Sequence, residues 1–455
     1  MPKGPRKKPN HADRFLTPRG GIFYYKRRVP ASVMGLDERG EHVRISLGTD
    51  DRGKARAMRD IYEKADDDLW ASLTLGEGSA IERYHNTVKT AQALGFNYRP
   101  AAEVANESLA NILARIDALK EQAPVPVIEA GLGGVEHPEV TVTEAFRIYC
   151  DEIAAHEIAT KSKGQKARWL SGKQGAVDNF VEVVGDLVMT EISRADGHTY
   201  HQYWRKRIAP GKGEGPATHT PSHGNRRIGN MRVLFDAYFK YLGEPDRPNP
   251  FDGLSYREKK SNKRKRPPFP PAWITDTILK VGALAGLNDE ARGIALVVAQ
   301  LGTRPSEICN LSPEFIILDH EVPHLKIEPR DDPEDPREIK TDSSIRIVPL
   351  IGMALDVMRK FPNGFPRYKD KENSLSAALN KYFKENGLCP TDKHSIYSFR
   401  HSFEDRMKNT RVDAELRKIL MGHALDRPEY GEGGSLRLRL EEISKTLLPY
   451  DPSIV

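Results

Sequence analysis

The period of apolar and polar positions changes along this chain, and each change marks a different kind of element. After Gly20-Gly21 comes Ile-Phe-Tyr-Tyr-Lys-Arg-Arg and then Val29-Pro30. Phe23, Tyr24, Tyr25 and Val29 favour a strand leaving a glycine turn. A second strand is expected over His42–Leu47, where Val43, Ile45 and Leu47 alternate with Arg44 and Ser46 and so share one face. A helix then starts near Asp51 and carries Ala55, Met58, Ile61 and Tyr62. From 66 to 121 the period is helical. Leu109, Ile112, Leu113, Ile116 and Leu119 fall on one stripe, which reads as the packing face of a connector. Residues 122–138 are rich in Pro, Gly and Val and read as a linker.

A second unit begins near Val140, where Thr141-Val-Thr143-Glu144 places a cap before an amphipathic helix. Helical patterns follow at 161–183, 190–207 and 224–242, with a mobile loop expected over Gly211–Gly224. Arg257–Arg266 holds seven basic residues and one acid, and Pro267, Pro268, Pro270 and Pro271 follow, which marks a boundary. Beyond it the pattern predicts a helix over 275–285 and a buried helix over Asp289–Leu301. That helix ends in Gly302-Thr303-Arg304-Pro305-Ser306-Glu307-Ile308, where Pro305 and Glu307 suit a new helix start. Leu325–Ile327 and Ile345–Leu350 read as a hairpin, followed by helices at 351–360 and 373–386. Ser435–Leu448 is amphipathic, with Leu436, Leu440, Ile443 and Leu447 on one stripe. It either packs on its own domain or docks on a neighbouring copy.

A length of 455 residues suits two to four domains. The three cysteines, Cys150, Cys309 and Cys389, lie far apart, which argues against a disulfide framework or a zinc site and fits a reducing cytosol. No apolar run reaches the ~20 residues that span a bilayer, and the basic N-terminus lacks the apolar stretch of a secretory signal. The net charge of +6 is modest but clustered, as a polyanion binder needs. Lys3, Arg6, Lys7 and Lys8 lie in a tail that reads as a solubiliser or as a DNA-contacting arm. Lys26, Arg27 and Arg28 interleave with aromatic residues on a strand. Lys163, Lys166 and Arg168 precede Trp169, Arg205 follows Tyr203-Trp204, and Arg226 and Arg227 open a helix. Lys263 and Arg264 lie in the basic boundary. Each cluster alone suits a solvated face. Together they suit a phosphate backbone, which needs several cations on one side.

The candidate chemistry lies in Tyr397-Ser-Phe-Arg400-His401-Ser-Phe, Met421-Gly422-His423 and Tyr430. A buried arginine is costly unless it meets an anion. A tyrosine hydroxyl beside cations and proton donors can attack phosphorus. Arg304, in a tight turn between two helices, would be held rigidly, as a phosphate clamp requires, and could equally pair with Glu307 or cap a helix C-terminus. Lys340, near the hairpin tip, suits a general acid on a mobile loop, and taken alone equally suits an exposed turn lysine.

These pieces together resemble the tyrosine recombinase (phage integrase) family. Thr303-Arg304-Pro-Ser-Glu307-Ile-Cys-Asn-Leu311 resembles its first arginine box, and Lys340 with Arg346-Ile-Val-Pro-Leu350 its lysine hairpin. Tyr397-Ser-Phe-Arg400-His401 resembles the second arginine box. Leu420-Met421-Gly422-His423 and Tyr430-Gly431 resemble the histidine and nucleophile boxes. The resemblance implies a multidomain, mainly α fold. A small N-terminal β-sheet module (1–65) resembles the family's arm-binding module, and a helical connector (66–137) follows. A helical core-binding DNA domain (138–250) and a basic, proline-rich linker (251–271) lead to a mixed α+β catalytic domain with a small antiparallel sheet (272–455).

It further implies transesterification through a 3′-phosphotyrosyl link to Tyr430, without metal or cofactor. Arg304 and Arg400 would hold the non-bridging oxygens, Lys340 would protonate the leaving 5′ oxygen, and His423 would assist. Family members usually carry histidine three residues before the second arginine, where this chain has Tyr397, leaving the acceptor of the nucleophile's proton open. The implied partner is double-stranded DNA, bound by a homo-tetramer, with a monomer as one form open to the free protein, an accessory DNA-bending or directionality factor and no membrane. The implied setting is the bacterial or phage nucleoid in the cytoplasm. A type IB topoisomerase and a catalytically silent DNA-binding regulator are the alternative readings.

Overall fold

The computed structural model describes residues 12–30, 34, 37, 39–75, 80–119, 123–258, 266–425 and 434–455. Lys3, Arg6, Lys7, Lys8, Lys263, Arg264 and Tyr430 lie outside the described residues. The fold is mainly helical with two small three-stranded antiparallel sheets. The chain forms two compact units, each made of two stretches: Met1–Ile153 with Gln174–Tyr256, and Ala154–Lys173 with Arg257–Val455.

In the first unit, strands β1 (Leu16–Arg19), β2 (Ile22–Arg28) and β3 (His42–Ser46) form a sheet in that order. Tyr25 pairs with Ile45, and Lys26 with Arg44. The expected alternation holds: Val43, Ile45 and Leu47 are buried with Tyr25 under helix α1 (Arg52–Leu75). Asp51 caps α1 by accepting from the Lys54 amide at 2.9 Å. Tyr25 Oη donates to buried Asp66 of α1 at 2.6 Å, so sheet and helix are joined by a polar pin inside the apolar layer.

Helices α2 (Ala80–Ala93), α3 (Leu109–Ala118) and α4 (Val125–Leu132) follow. The stretch expected as a linker contains α4. Its Pro126 falls in the first turn, where a missing N–H costs nothing, and its residues Val127 and Ala130 are buried. Helix α3 is turned the other way from its apolar stripe. Leu109, Leu113 and Ile116 are 71%, 49% and 48% exposed, while Arg115 is buried. The guanidinium meets Glu107 twice at 2.9 Å and the carbonyls of Asn97 and Gly131 at 3.0 and 3.2 Å. The space beneath α3 is lined by these acceptors, and a charge-assisted network outweighs the apolar stripe there.

Helices α5 (Lys163–Val184), α6 (Arg194–Ile208) and α7 (Pro221–Tyr241) agree with the expected pattern to within a few residues. The ends move where caps decide. Ser193 and Asp196 form a capping box that starts α6 late, and Thr220 with Pro221 starts α7 inside the expected loop. Phe180, Tyr200, Trp204, Ile228, Phe235 and Tyr238 are buried in this unit.

The second unit is built on α8 (Asp289–Leu301), buried almost throughout and capped by Asn288, which accepts from the Ala291 amide at 3.0 Å. Where a helix was expected over 275–285, helical structure spans only Pro271–Ile278. Gly282, at φ +86°, turns the chain away. Strands β4 (Ile316–Ile317), β5 (His324–Ile327) and β6 (Arg346–Pro349) form the second sheet. On β6 the charged residue points inward: Arg346 is buried and Ile345 is 49% exposed.

Helices α9 (Gly352–Lys360), α10 (Glu372–Glu385), α11 (Ser398–Asn409), α12 (Ala414–Met421) and α13 (Leu436–Ser444) complete the unit. The last helix packs on its own unit through part of its apolar stripe. Ile443 is buried in its own unit's core, and Arg439 Nη1 donates to the Ile347 carbonyl of β6 at 3.2 Å. Cys150, Cys309 and Cys389 form no disulfide. Among the described residues no helix is long and apolar enough to cross a membrane.

Candidate active site

Two helix ends and one strand bring three arginines together. Helices α8 and α12 both stop on a left-handed glycine, Gly302 and Gly422, each at φ +62°. A left-handed residue turns the chain sharply and leaves the preceding carbonyls available. The Gly302 carbonyl accepts from Arg400 Nη1 at 3.0 Å, and the Met421 carbonyl accepts from Arg400 Nη2. The next carbonyl, that of Gly422, accepts from Arg304 Nη2 at 3.3 Å. Side chains at these two positions are excluded by space as well as by backbone. A Cβ at Gly302 would lie 2.4 Å from Phe403 Cβ, and one at Gly422 would lie 2.8 Å from Arg346 Nη1.

Arg304 and Arg346 share one carboxylate. Glu307 Oε1 accepts from Arg304 Nη1 at 2.6 Å and from Arg346 Nη1 at 3.0 Å, while Oε2 accepts from Arg346 Nη2 at 2.8 Å. Burial opposes the Glu307 charge, but Arg346 and Arg304 override it and hold the carboxyl down to about 2. Ser344 Oγ accepts from Arg304 at 3.1 Å, and Arg346 also donates to the Ser344 and Leu420 carbonyls.

Arg400 has no such partner. Among the described residues its hydrogen bonds go only to two carbonyls and to His423 Nε2 at 3.3 Å. Burial, together with Arg304 and Arg346 nearby, lowers its pKa to about 10, although the Glu307 charge works the other way. Three guanidiniums thus face one carboxylate in a largely desolvated place. His423 is exposed on one side, but its edge toward Arg400 is desolvated. That desolvation and the Arg400 charge lower its pKa, so the imidazole is neutral at pH 7.

Tyr397 lies half-buried at the start of α11. Its ring meets His401 edge-on at 5.8 Å, and the Arg266 guanidinium lies 5.3 Å from its centroid. Lys340 is exposed and has no hydrogen-bond or ion-pair partner among the described residues. It lines an open cavity of about 450 Å³ together with Arg304, Arg330 and Arg337. Arg304, Arg400 and His423 are therefore brought together, Lys340 shares a cavity with Arg304, and Tyr430 lies outside the described residues. Sequence reasoning missed Arg346, Ser344 and the bridging role of Glu307. A usable signal was an arginine in the first position of an apolar strand.

The expected DNA-contacting cations divide into two groups. Lys26, Lys163 and Arg226 are exposed, Lys166 is half-buried, and exposed Arg205 bonds Gln202 at 2.8 Å. Arg28 is exposed and pairs with Glu41 at 3.2 Å. The others are tied into the fold. Arg27 bonds Asp67 and the Glu63 carbonyl and lies over the Trp70 ring at 4.6 Å. Arg168 pairs with Glu372, and Arg227 packs against Gly175 with Nη1 buried.

Residues 15–75 match a family described as a domain of unknown function, DUF6538. No curated protein matches the chain. Among solved structures, the Tn1549 transposon integrase in complex with transposon right end DNA is 14% identical. That match covers 64% of this chain and 98% of that one at a TM-score of 0.41. A lambda integrase dimer bound to a COC′ core site is 11% identical over 98% of this chain and 99% of that one, at 0.43. The integrase from mycobacterium phage Brujita is 15% identical over 68% and 93%, at 0.31.

Proposed function

We propose that this protein is a DNA strand transferase of the tyrosine recombinase type, which cuts and rejoins DNA through a 3′-phosphotyrosyl intermediate. One observation carries the reading: Arg400 is buried and, among the described residues, bonded only to two backbone carbonyls and His423, beside Arg304. A site with surplus positive charge in low dielectric is suited to a phosphodiester whose oxygens gain charge in the transition state. In this reading the Tyr430 hydroxyl oxygen bonds to phosphorus as the bond from phosphorus to the 5′ oxygen breaks. Lys340 gives its proton to that departing oxygen, and the phenol's proton passes to His423. Arg304 and Arg400 hold the non-bridging oxygens. Tyr397 supports the site by contact. Exchange between two duplexes requires four strand cuts, hence a homo-tetramer on double-stranded DNA.

A duplex nicked just beyond the cut traps the intermediate. Wild type is expected to form a covalent protein–DNA adduct, Tyr430→Phe none, and Tyr397→Phe a nearly normal amount. Absence of an adduct from wild type at permissive salt would remove the enzyme reading in favour of a DNA-binding regulator. Relaxation of supercoils by a monomer, without exchange, would favour a type IB topoisomerase.

The N-terminal sheet supports the choice of DNA. Register puts Arg19, Tyr24, Lys26, Arg28 and Arg44 on the face away from the core, with Lys26 directly opposite Arg44. Like charges in facing positions cost stability unless an anion lies over them. Lys26→Ala with Arg44→Ala is expected to lower the slope of log affinity against log salt by about 2.

A further inference from the structure

We propose that the segment Thr160–Gln165 is a strap that positions Lys340, so that Lys161 and Gln165 are positioning residues for proton delivery to the leaving group. This inference rests on the strand-transfer reading. It starts from Glu338, two residues before Lys340. Buried Lys161 donates to Glu338 Oε2 at 2.7 Å, and the Thr160 hydroxyl donates to Oε1. The Gln165 side chain closes a two-way clasp on the Glu338 backbone. Its Nε2 donates to the carbonyl at 2.7 Å, and its Oε1 accepts from the amide at 3.2 Å.

The strap is itself fixed to the unit. Arg337 donates to Ser162 Oγ at 3.3 Å, to Asp370 at 2.9 Å and to Glu372 at 2.6 Å. Arg168 pairs with the same Glu372. Gly164 allows the close approach, since a Cβ there would lie 2.8 Å from the Asp370 carbonyl oxygen. Lys340 has no bonds of its own among the described residues. Its place in the cavity beside Arg304 is therefore set by the backbone two residues earlier.

Held backbone and free side chain are what a general acid on a loop requires, since the ammonium must reach the departing oxygen while its base stays in register. A 5′-bridging phosphorothiolate tests this, because its thiolate leaves without a proton. On an ordinary phosphodiester, Gln165→Ala and Lys161→Met are each expected to slow adduct formation by on the order of tenfold to a hundredfold. On the phosphorothiolate both should return to the wild-type rate, as Lys340→Ala should. Gln165→Ala leaves no unpaired buried charge, so it keeps the test decisive if Lys161→Met does not fold. A defect persisting on the phosphorothiolate, or no defect on the phosphodiester while Lys340→Ala shows one, overturns the strap alone. No adduct from wild type on either substrate overturns the strand-transfer reading, and the strap with it.

Discussion

Arg115 and Arg400 are both buried arginines, and they differ in what they face. Arg115 meets Glu107 at two points, two carbonyls and the Phe96 ring, with its guanidinium carbon 5.1 Å from that ring's centroid. Its charge is matched inside the fold. Among the described residues Arg400 meets two carbonyls and the His423 imidazole. A buried cation without a counter-ion is costly, and a fold that retains one keeps an affinity for an anion. Burial alone does not separate these two arginines; the charge of their partners does.

The comparison breaks first at Arg115. Arg115→Met leaves the Glu107 carboxylate with only the more exposed Arg99 at 3.5 Å, and a loss of about 3 kcal/mol in urea unfolding is expected. Arg400→Met removes a charge that lacks a counter-ion, so stability should stay within about 1 kcal/mol of wild type. The same change should reduce adduct formation by about 10²–10³. Equal stability losses at the two positions would end the distinction.

Glu307 sharpens it from the other side, because among the described residues it is the carboxylate that pairs with both Arg304 and Arg346. Its folded pKa, about 2, lies below the ordinary value of 4.5. Its contribution is therefore complete above pH 4.5 and disappears as pH falls toward 2. Glu307→Gln should cost on the order of 3 kcal/mol at pH 7. Urea unfolding as a function of pH should show the two proteins converging in acid. A constant gap would mean that the loss is not electrostatic. Gly422→Ala should cost at least the about 1–2 kcal/mol of an L-residue in the left-handed region, since its Cβ would also lie 2.8 Å from Arg346 Nη1. If adduct formation falls further than stability does, the carbonyls of this turn orient the guanidiniums as well as terminate α12.

Much of this was legible locally. The alternation of Val43, Ile45 and Leu47, the unbroken apolar run of α8 and the cap residues all act within a few positions. Arg304, Arg400 and His423 were legible because each stands beside a helix end that its neighbours specify. The stripe of Leu109, Leu113 and Ile116 misled, since which face of a helix is buried depends on what lies beneath it. Arg346 was hidden in a strand whose inward side is set by Glu307 rather than by apolar alternation. The bond from Lys161 to Glu338 crosses 177 positions, and no local pattern carries such a pairing.

That bond has a consequence for dividing the chain. The basic, proline-rich stretch near 257–271 looks like the natural place to cut out a catalytic fragment. A fragment starting there would lack Thr160, Lys161 and Gln165, all of which belong to the same compact unit. It would keep its arginine cluster and its core but lose the attachment at Glu338. Such a piece should bind DNA phosphate and cut slowly, and supplying residues 154–173 as a separate peptide should restore part of the rate. The second unit is thus encoded in two places, with the small piece upstream of the helices that interrupt it.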